Sequence, residues 1–302
     1  MPNYAFIIGE LLVLPVTLVY AGFFLYRCHK YKDSPERDGA SITAAFVIAM
    51  RYVFHELGLR PDAASAALWP HHPVAPPLIV CQMFIWGQRF VQALVKLMRT
   101  GSVSVGMDLL PKRFAFFDRT IAECGCEQLV LMGAGFEARP YNADPRCTGN
   151  ARRVFEVDRP ETQLAKRALL NAAKLKSDKV TYVQVNFAKE SWSQKLIEAG
   201  LDDSKPFYML WEGVAGYLPE QVVIDFFNEA AVHLAKNPNS RLAFNYLVNY
   251  GNIEPFCKWV HEPHLSKMSH DLEGYLAKAA PGLKILEIER VTHGGIAIVA
   301  AT

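Results

Sequence analysis

The stretch LVLMGAGFEARPY, residues 129–141, runs an apolar segment into Gly133-Ala134-Gly135 and then brings in Glu137 and Arg139. An apolar run ending at two glycines reads as a buried strand followed by a turn whose backbone angles are closed to other residues. Such a turn lets a ligand approach the main chain. Gly133, Gly135 and Ala138 also satisfy the loose dinucleotide pattern G-x-G-x-x-G/A. That pattern alone does not choose a ligand.

Downstream, RRVFEVD, KVTYVQVNF, PFYMLWEG and SRLAFNYLV read as strands, PETQLAKRALLNAAK and PEQVVIDFFNEAAVHLAK as helices, and KILEIERV with GGIAIVAA as a terminal antiparallel hairpin. This alternation predicts an α/β fold with a parallel sheet covered on both faces. Ligands of such sheets bind beyond the C-terminal ends of the central strands. Asp158 ends the second strand, where a carboxylate can accept hydrogen bonds from ribose hydroxyls. NAD and S-adenosylmethionine both carry that ribose. A pyrophosphate favours backbone N–H groups with no carboxylate nearby, and Glu137 lies within the turn. A sulfonium donor, with one ammonium and one carboxylate, suits the mixed charge of Glu137, Arg139, Glu212 and, upstream, Arg113.

Residues 5–26, AFIIGELLVLPVTLVYAGFFLY, are apolar except for Glu10, and Arg27, Lys30 and Lys32 follow. That length suits a transmembrane helix. Pro15 and Gly22 are tolerable in one. Basic residues on the C-terminal side place the remainder of the chain in the cytoplasm. A core helix or hydrophobic arm of a soluble, cytoplasmic protein is the alternative. KDSPERDGAS, residues 32–41, reads as a linker. Residues 1–38 are therefore expected as membrane anchor and linker, and 39–302 as a second domain whose segment 39–110 forms a helical cap over the acceptor. Ser41 is placed to cap a helix carrying Ile42, Phe46, Ala49, Val53 and Leu57 on one face. LRPDAASAALWPHHPVAPP, rich in proline, reads as an irregular connection. In PLIVCQMFIWGQRFVQALVKLMRTG, Gln82, Arg89, Gln92, Lys96 and Arg99 recur at helical spacing. A helix of that kind lies on a bilayer surface or packs on a core rather than spanning lipid.

The 302 residues carry a net charge of +2, which excludes a nucleic-acid coat. The six cysteines form no C-x-x-C pair, so neither a zinc ribbon nor a disulfide framework is indicated. HEPH, residues 261–264, lacks the H-E-x-x-H spacing of a metal helix. No metal is expected.

Taken in order, GAGFEARPY, FEVDRPETQLAKR, VQVNFAKESW and WEGVAGYLPEQ, with PKRFAFFDRTI upstream, resemble the leucine carboxyl methyltransferase family of S-adenosylmethionine-dependent O-methyltransferases. The resemblance covers roughly residues 40–250. It implies a Rossmann-like class I methyltransferase fold, a seven-stranded and mostly parallel sheet with a C-terminal antiparallel hairpin. It further implies S-adenosylmethionine as cofactor and a carboxyl or hydroxyl of a small or lipophilic substrate as acceptor. In the family pattern Arg113 pairs with the donor's carboxylate and Gly133 lets the backbone approach its methionine portion. Asp158 holds the ribose, Asn186 and Phe187 border the adenine, and Glu212 receives the amino group. Arg139 is assigned to structure, and Tyr217 to the acceptor side as the catalytic candidate. Glu137, Ala138 and Asn186 stand where the family has Asp, Thr and Asp. A carboxylate acceptor needs only positioning, whereas a hydroxyl needs a general base, for which Tyr217, His261, His264 and His293 are candidates. Two other readings share these residues: an NAD-dependent oxidoreductase, and a membrane-tethered interaction protein with a degenerate donor site.

Overall fold

The computed structural model describes residues 4–37, 40–98, 109–291 and 293–302. The expected domain boundary at 39 and the stretch 99–108 of the cap, with Arg99, lie outside them. The chain divides into two compact units, Met1–Met107 with Arg167–Leu175, and Asp108–Lys166 with Lys176–Thr302.

The first unit contains α1 (Tyr4–Lys32), α2 (Ile42–Glu56), α3 (Ala63–Leu68) and α4 (Leu78–Met98). Ser41 caps α2, its hydroxyl accepting the Ala44 N–H at 3.0 Å. Helix α3 replaces part of the irregular connection read from the sequence. The Asp62 carboxylate accepts the Ser65 N–H at 3.1 Å and caps AASAAL, an alanine-rich run that favours helix once capped. A single 3-10 turn, Trp69–His71, follows, with Trp69 fully buried.

Helices α1 and α4 run antiparallel. A Cβ on Gly9 would lie 3.1 Å from Val91, and one on Gly87 would lie 3.3 Å from Val13, so small residues let the two backbones close up. Tyr20 stacks on Phe84 at 4.5 Å. Of the two expectations for α4, neither is complete. Val80, Cys81, Ile85 and Val91 are buried, whereas Ile79, Met83, Trp86 and Phe90 are exposed.

The second unit holds one sheet. Its strands are β1 (Gln128–Met132), β2 (Arg153–Asp158), β3 (Val180–Gln184), β4 (Phe207–Trp211), β5 (Arg241–Leu247), β6 (Leu283–Val291) and β7 (Gly294–Ala301), in the order β3-β2-β1-β4-β5-β7-β6. Pairing is parallel from β3 to β5, and β7 runs antiparallel to both β5 and β6. The expected Rossmann-like sheet with its C-terminal hairpin is borne out. The strand order reverses between β1 and β4, the switch point where such sheets open a crevice.

All five residues of β1 are buried, because helices cover both faces. Leu129 and Leu131 pack with Phe116, Phe117 and Ile121 of α5 (Leu109–Glu123). Val130 and Met132 join the core of Trp211 with Phe226 and Phe227 of α8 (Glu220–Leu234). Between these two helices, α6 (Pro160–Ala172) follows β2 and α7 (Trp192–Glu198) follows β3. After β5 come α9 (Glu254–Trp259) and α10 (Leu272–Ala279).

His72 is buried in the first unit, and its Nδ1 accepts the Val74 N–H at 3.2 Å. Burial lowers its pKa from 6.5 to about 3. The folded state therefore keeps it neutral while the unfolded chain takes up a proton. Its contribution is intact above pH 6.5 and is lost as pH falls from there towards 3. In thermal melts between pH 7 and pH 5, the His72→Phe variant should lose less melting temperature than the unaltered chain; equal slopes count against this account.

Candidate functional site

The glycines of the opening stretch sit where β1 ends. Gly133 has φ +64° and Gly135 φ +46°. A Cβ on Gly133 would lie 2.3 Å from a methyl of Val214, in the loop after β4, so only glycine fits there. The Ala134 N–H donates to the Val157 carbonyl at 3.0 Å, which extends β1 pairing into the turn. Asp158 then fixes the turn to the end of β2. Its Oδ2 accepts the Gly135 N–H at 2.6 Å and its Oδ1 the Arg159 N–H at 2.7 Å. Burial raises the Asp158 pKa, and those two N–H groups oppose the rise. Each oxygen retains a further lone pair.

Behind this turn lies a chain of buried charges. Arg139 is fully buried; its Nε donates to Asp118 Oδ1 of α5 at 2.9 Å and its Nη1 to Glu212 Oε2 at 3.0 Å. Nη1 also donates to Glu137, whose other oxygen accepts the Arg139 N–H at 2.8 Å. Burial by itself would lower the Arg139 pKa, but Glu137, Asp118 and Glu212 outweigh it and hold the guanidinium charged. On the far side of Glu212, Arg113 Nε of α5 makes an ion-pair contact with Oε1 at 2.9 Å. Arg113, Glu212 and Arg139 thus alternate in charge beside the crevice, and Arg139 branches to Glu137 and Asp118.

This series alters one step of the sequence argument. Glu137 is tied to Arg139, so its charge does not stand against a phosphate in the turn. The mixed charge comes from Arg113 and Glu212 instead.

Asn186 and Phe187 follow β3, on the strand next to Asp158. The Asn186 Oδ1 accepts the Ala188 N–H at 3.1 Å, and its own N–H donates to Glu190 at 2.8 Å. Phe187 meets Phe226 edge-on at 6.3 Å. It lines a cleft of about 220 Å³ with Trp192 and Val222 among its other walls.

Tyr217 closes the 3-10 turn Ala215–Tyr217 and belongs to a different cluster. Its ring stacks on His264 at 4.7 Å, and Tyr250 stacks on the opposite side of His264 at 3.7 Å. His264 Nδ1 lies 2.5 Å from Glu254 Oε2. That hydrogen bond holds the Glu254 carboxyl below its ordinary range. The His264 side chain is 3% exposed, whereas His261 and His293 are exposed. The Leu265 N–H donates to the Gly216 carbonyl at 2.8 Å. The cluster is thereby fastened to the same loop whose Val214 touches Gly133.

Several supporting residues escape sequence reading. Asn245 of β5, 4% exposed, accepts the Gly213 N–H at 2.7 Å and sets the turn after β4. Glu156 of β2 and Lys166 of α6 form a buried ion pair at 2.7 Å. Gln163 clamps the Glu156 and Val183 carbonyls at 2.9 and 3.0 Å. Among the described residues no group of three or more His, Cys, Asp or Glu is placed to hold a metal ion.

Residues 95–231 match the family model of leucine carboxyl methyltransferase, so the resemblance carried by the motifs is borne out. Two relatives, from Mycolicibacterium paratuberculosis and Mycolicibacterium smegmatis, bear the name "Putative S-adenosyl-L-methionine-dependent methyltransferase". They are 32% identical over 48% of this chain and 34% identical over 43% of it. The matched stretches span 46% and 41% of those relatives, about half their length or less. A solved structure of a DUF574 family protein from Streptomyces avermitilis is 14% identical with a TM-score of 0.49, covering 87% of this chain and 98% of that one.

Replacing Arg139 by Met should leave three carboxylates without their shared cation. Losing one partner of a buried pair costs about 3–5 kcal/mol. Urea denaturation of Arg139→Met should show a loss of that order, and a change under about 1 kcal/mol would remove the network from its structural role.

Proposed function

We propose that the chain is an S-adenosylmethionine-dependent O-methyltransferase acting on a carboxyl or hydroxyl of a small or lipophilic acceptor. The observation that carries this reading is the Arg113–Glu212 contact beside Gly133 and Asp158. One cation and one anion, at 7% and 10% side-chain exposure, stand at the switch point of the sheet. That donor set fits a zwitterionic amino-acid group: Arg113 for its carboxylate, Glu212 for its ammonium. Asp158 has lone pairs left for two ribose hydroxyls, and Gly133 gives main-chain access. Asn186 and Phe187 are assigned to the adenine, the Asn186 oxygen keeping a second lone pair for the adenine amine beside the Ala188 N–H it already accepts. The relatives' printed names point to the same cofactor.

The donor supplies an activated methyl on a sulfonium, a good leaving group for in-line displacement. The protein's share is alignment and exclusion of water. A carboxylate acceptor is nucleophilic at neutral pH and needs no further help. For a hydroxyl acceptor the base is assigned to His264. With Nδ1–H donated to Glu254, the lone pair is on Nε2, which takes the hydroxyl proton. Tyr217, stacked on the ring, positions it and faces the acceptor side. The apolar helix α1 is assigned to membrane attachment, with residues 39–302 as the catalytic domain on the cytoplasmic side.

Calorimetry of the full-length chain with S-adenosylmethionine should show binding that weakens at least about tenfold in Asp158→Ala and in Glu212→Ala. Absence of binding, or binding unchanged in both variants, would sink the reading. NAD bound in place of S-adenosylmethionine would favour the oxidoreductase. In extracts supplied with labelled donor, His264→Ala should lose roughly 100-fold or more of the transfer to hydroxyl products while donor affinity stays unchanged. Equal rates in the variant, or products that are esters alone, would remove His264 from the chemistry.

A further inference from the structure

Helix α1 is long enough to cross a bilayer, and an 18-residue window of it has a mean hydropathy of 2.0, yet its packing is not that of a lone span. It lies against α4 in antiparallel contact from Gly9 beside Val91, through Val13 beside Gly87, to Tyr20 on Phe84. Near the other end Arg27 Nη1 donates to the Pro73 carbonyl at 3.3 Å. Helix α2 flanks this pair. Phe24 of α1 meets Phe46 of α2 at 6.4 Å, and Arg89 of α4 donates to the Glu56 carbonyl at the end of α2 at 2.6 Å. The same α2 carries buried Arg51, 3.6 Å from the Asp62 carboxylate that also binds Arg60 at 2.6 Å. Ionic groups of this kind do not sit in hydrocarbon beside a spanning helix without large cost. The inner side of the pair is therefore protein.

The outer side is apolar on both helices. Leu11, Leu12 and Leu18 of α1 are 64%, 62% and 61% exposed. On α4, Ile79, Met83, Trp86 and Phe90 recur at spacings of four, three and four and form one stripe, with Trp86 62% exposed. Large apolar surfaces on a folded unit mark an interaction site. Basic residues stand at both ends of the pair: Lys30 beside Arg27 at one, exposed Lys96 on the turn beyond Val91 at the other. Apolar residues between terminal cations match an anionic lipid surface.

We propose that α1 and α4 together form a plate lying in the plane of an anionic bilayer, with only the outer face entering the acyl boundary, instead of α1 crossing the membrane by itself. This rests on the reading that α1 attaches the chain to a membrane, and it adds α4 and a depth. Trp86 is the built-in reporter. The full-length chain is floated with phosphatidylcholine–phosphatidylserine vesicles whose acyl chains carry bromine either near the headgroup or near the bilayer centre. The emission of Trp86 is isolated by subtraction of Trp86→Phe. In the Trp86→Phe background, tryptophans introduced one at a time at Leu11, Leu18 and Leu25, with the emission of that background subtracted, report the depth of α1.

The plate predicts flotation, Trp86 quenching at least about twofold stronger from shallow than from central bromines, and similar shallow depths at the three α1 positions. Trp86→Lys with Phe90→Lys should weaken vesicle binding by about tenfold or more while S-adenosylmethionine binding stays unchanged. Flotation with Trp86 unquenched and a depth maximum at Leu18 would overturn the plate and leave a single span. No flotation would overturn both the plate and membrane attachment, and concentration-dependent self-association in that case would give the face to a second copy of the chain.

Discussion

The candidate site depends on one buried cation. Arg139 gathers carboxylates from α5, from the loop after β1 and from the loop after β4. Removing a guanidinium and its partners from water costs several kcal/mol per ion, and only good geometry with further hydrogen bonds recovers it. Here Nε and Nη1 each meet a carboxylate, and Glu137 spends its second oxygen on the Arg139 N–H. The arrangement is worth less as net stability than as restraint: any motion of one loop strands a charge. Glu212, held by Arg139 on one oxygen, presents the other to Arg113, so the polar end of the crevice is set before a ligand arrives.

The sheet supplies the frame for that restraint. Its central strands are buried on both faces, and their ends are tied by side chains rather than left to the loops. Asn245 holds the Gly213 N–H, Asp158 holds the Gly135 N–H, and the Glu156–Lys166 pair with Gln163 fixes β2 to α6. Each tie leads from a strand interior to a turn. A preorganised turn needs no reordering when a ligand binds, which leaves more of the contact energy for affinity.

What could be read from the sequence follows from distance along the chain. Gly133, Asp158 and Glu212 announce themselves because strand, turn and residue type are adjacent, and the alternation of strands and helices gave the sheet. Asp118, Asn245 and Glu254 are silent in the sequence, since each matters through a partner 21, 32 and 10 residues away, respectively, which composition does not mark. The charge of Glu137 is visible in the sequence, but its neutralisation by Arg139 is a matter of rotamer and burial. Nothing in the sequence separates His264 from Tyr217, His261 and His293, and its contacts with Glu254, Tyr217 and Tyr250 exist only in the fold. In the proline-rich stretch before α4, the prolines drew attention from Asp62 and its alanines, which form a helix.

The polar network is complete within one compact unit: Arg113, Asp118, Glu137, Arg139, Asp158 and Glu212 all lie in Asp108–Lys166 or Lys176–Thr302. The exposed apolar stripes of α1 and α4 lie wholly in the other. The proposed cofactor recognition and the proposed surface attachment therefore draw on separate residues and separate forces, ion pairing under burial in one case and apolar area with terminal cations in the other. Salt screens exposed charges within about 8–10 Å but buried pairs far less. The proposed donor site and the proposed plate should thus respond differently to ionic strength, the first little and the second strongly through its basic ends. Under these two proposals, substitution along Ile79 to Phe90 would change attachment without touching the residues assigned to the cofactor.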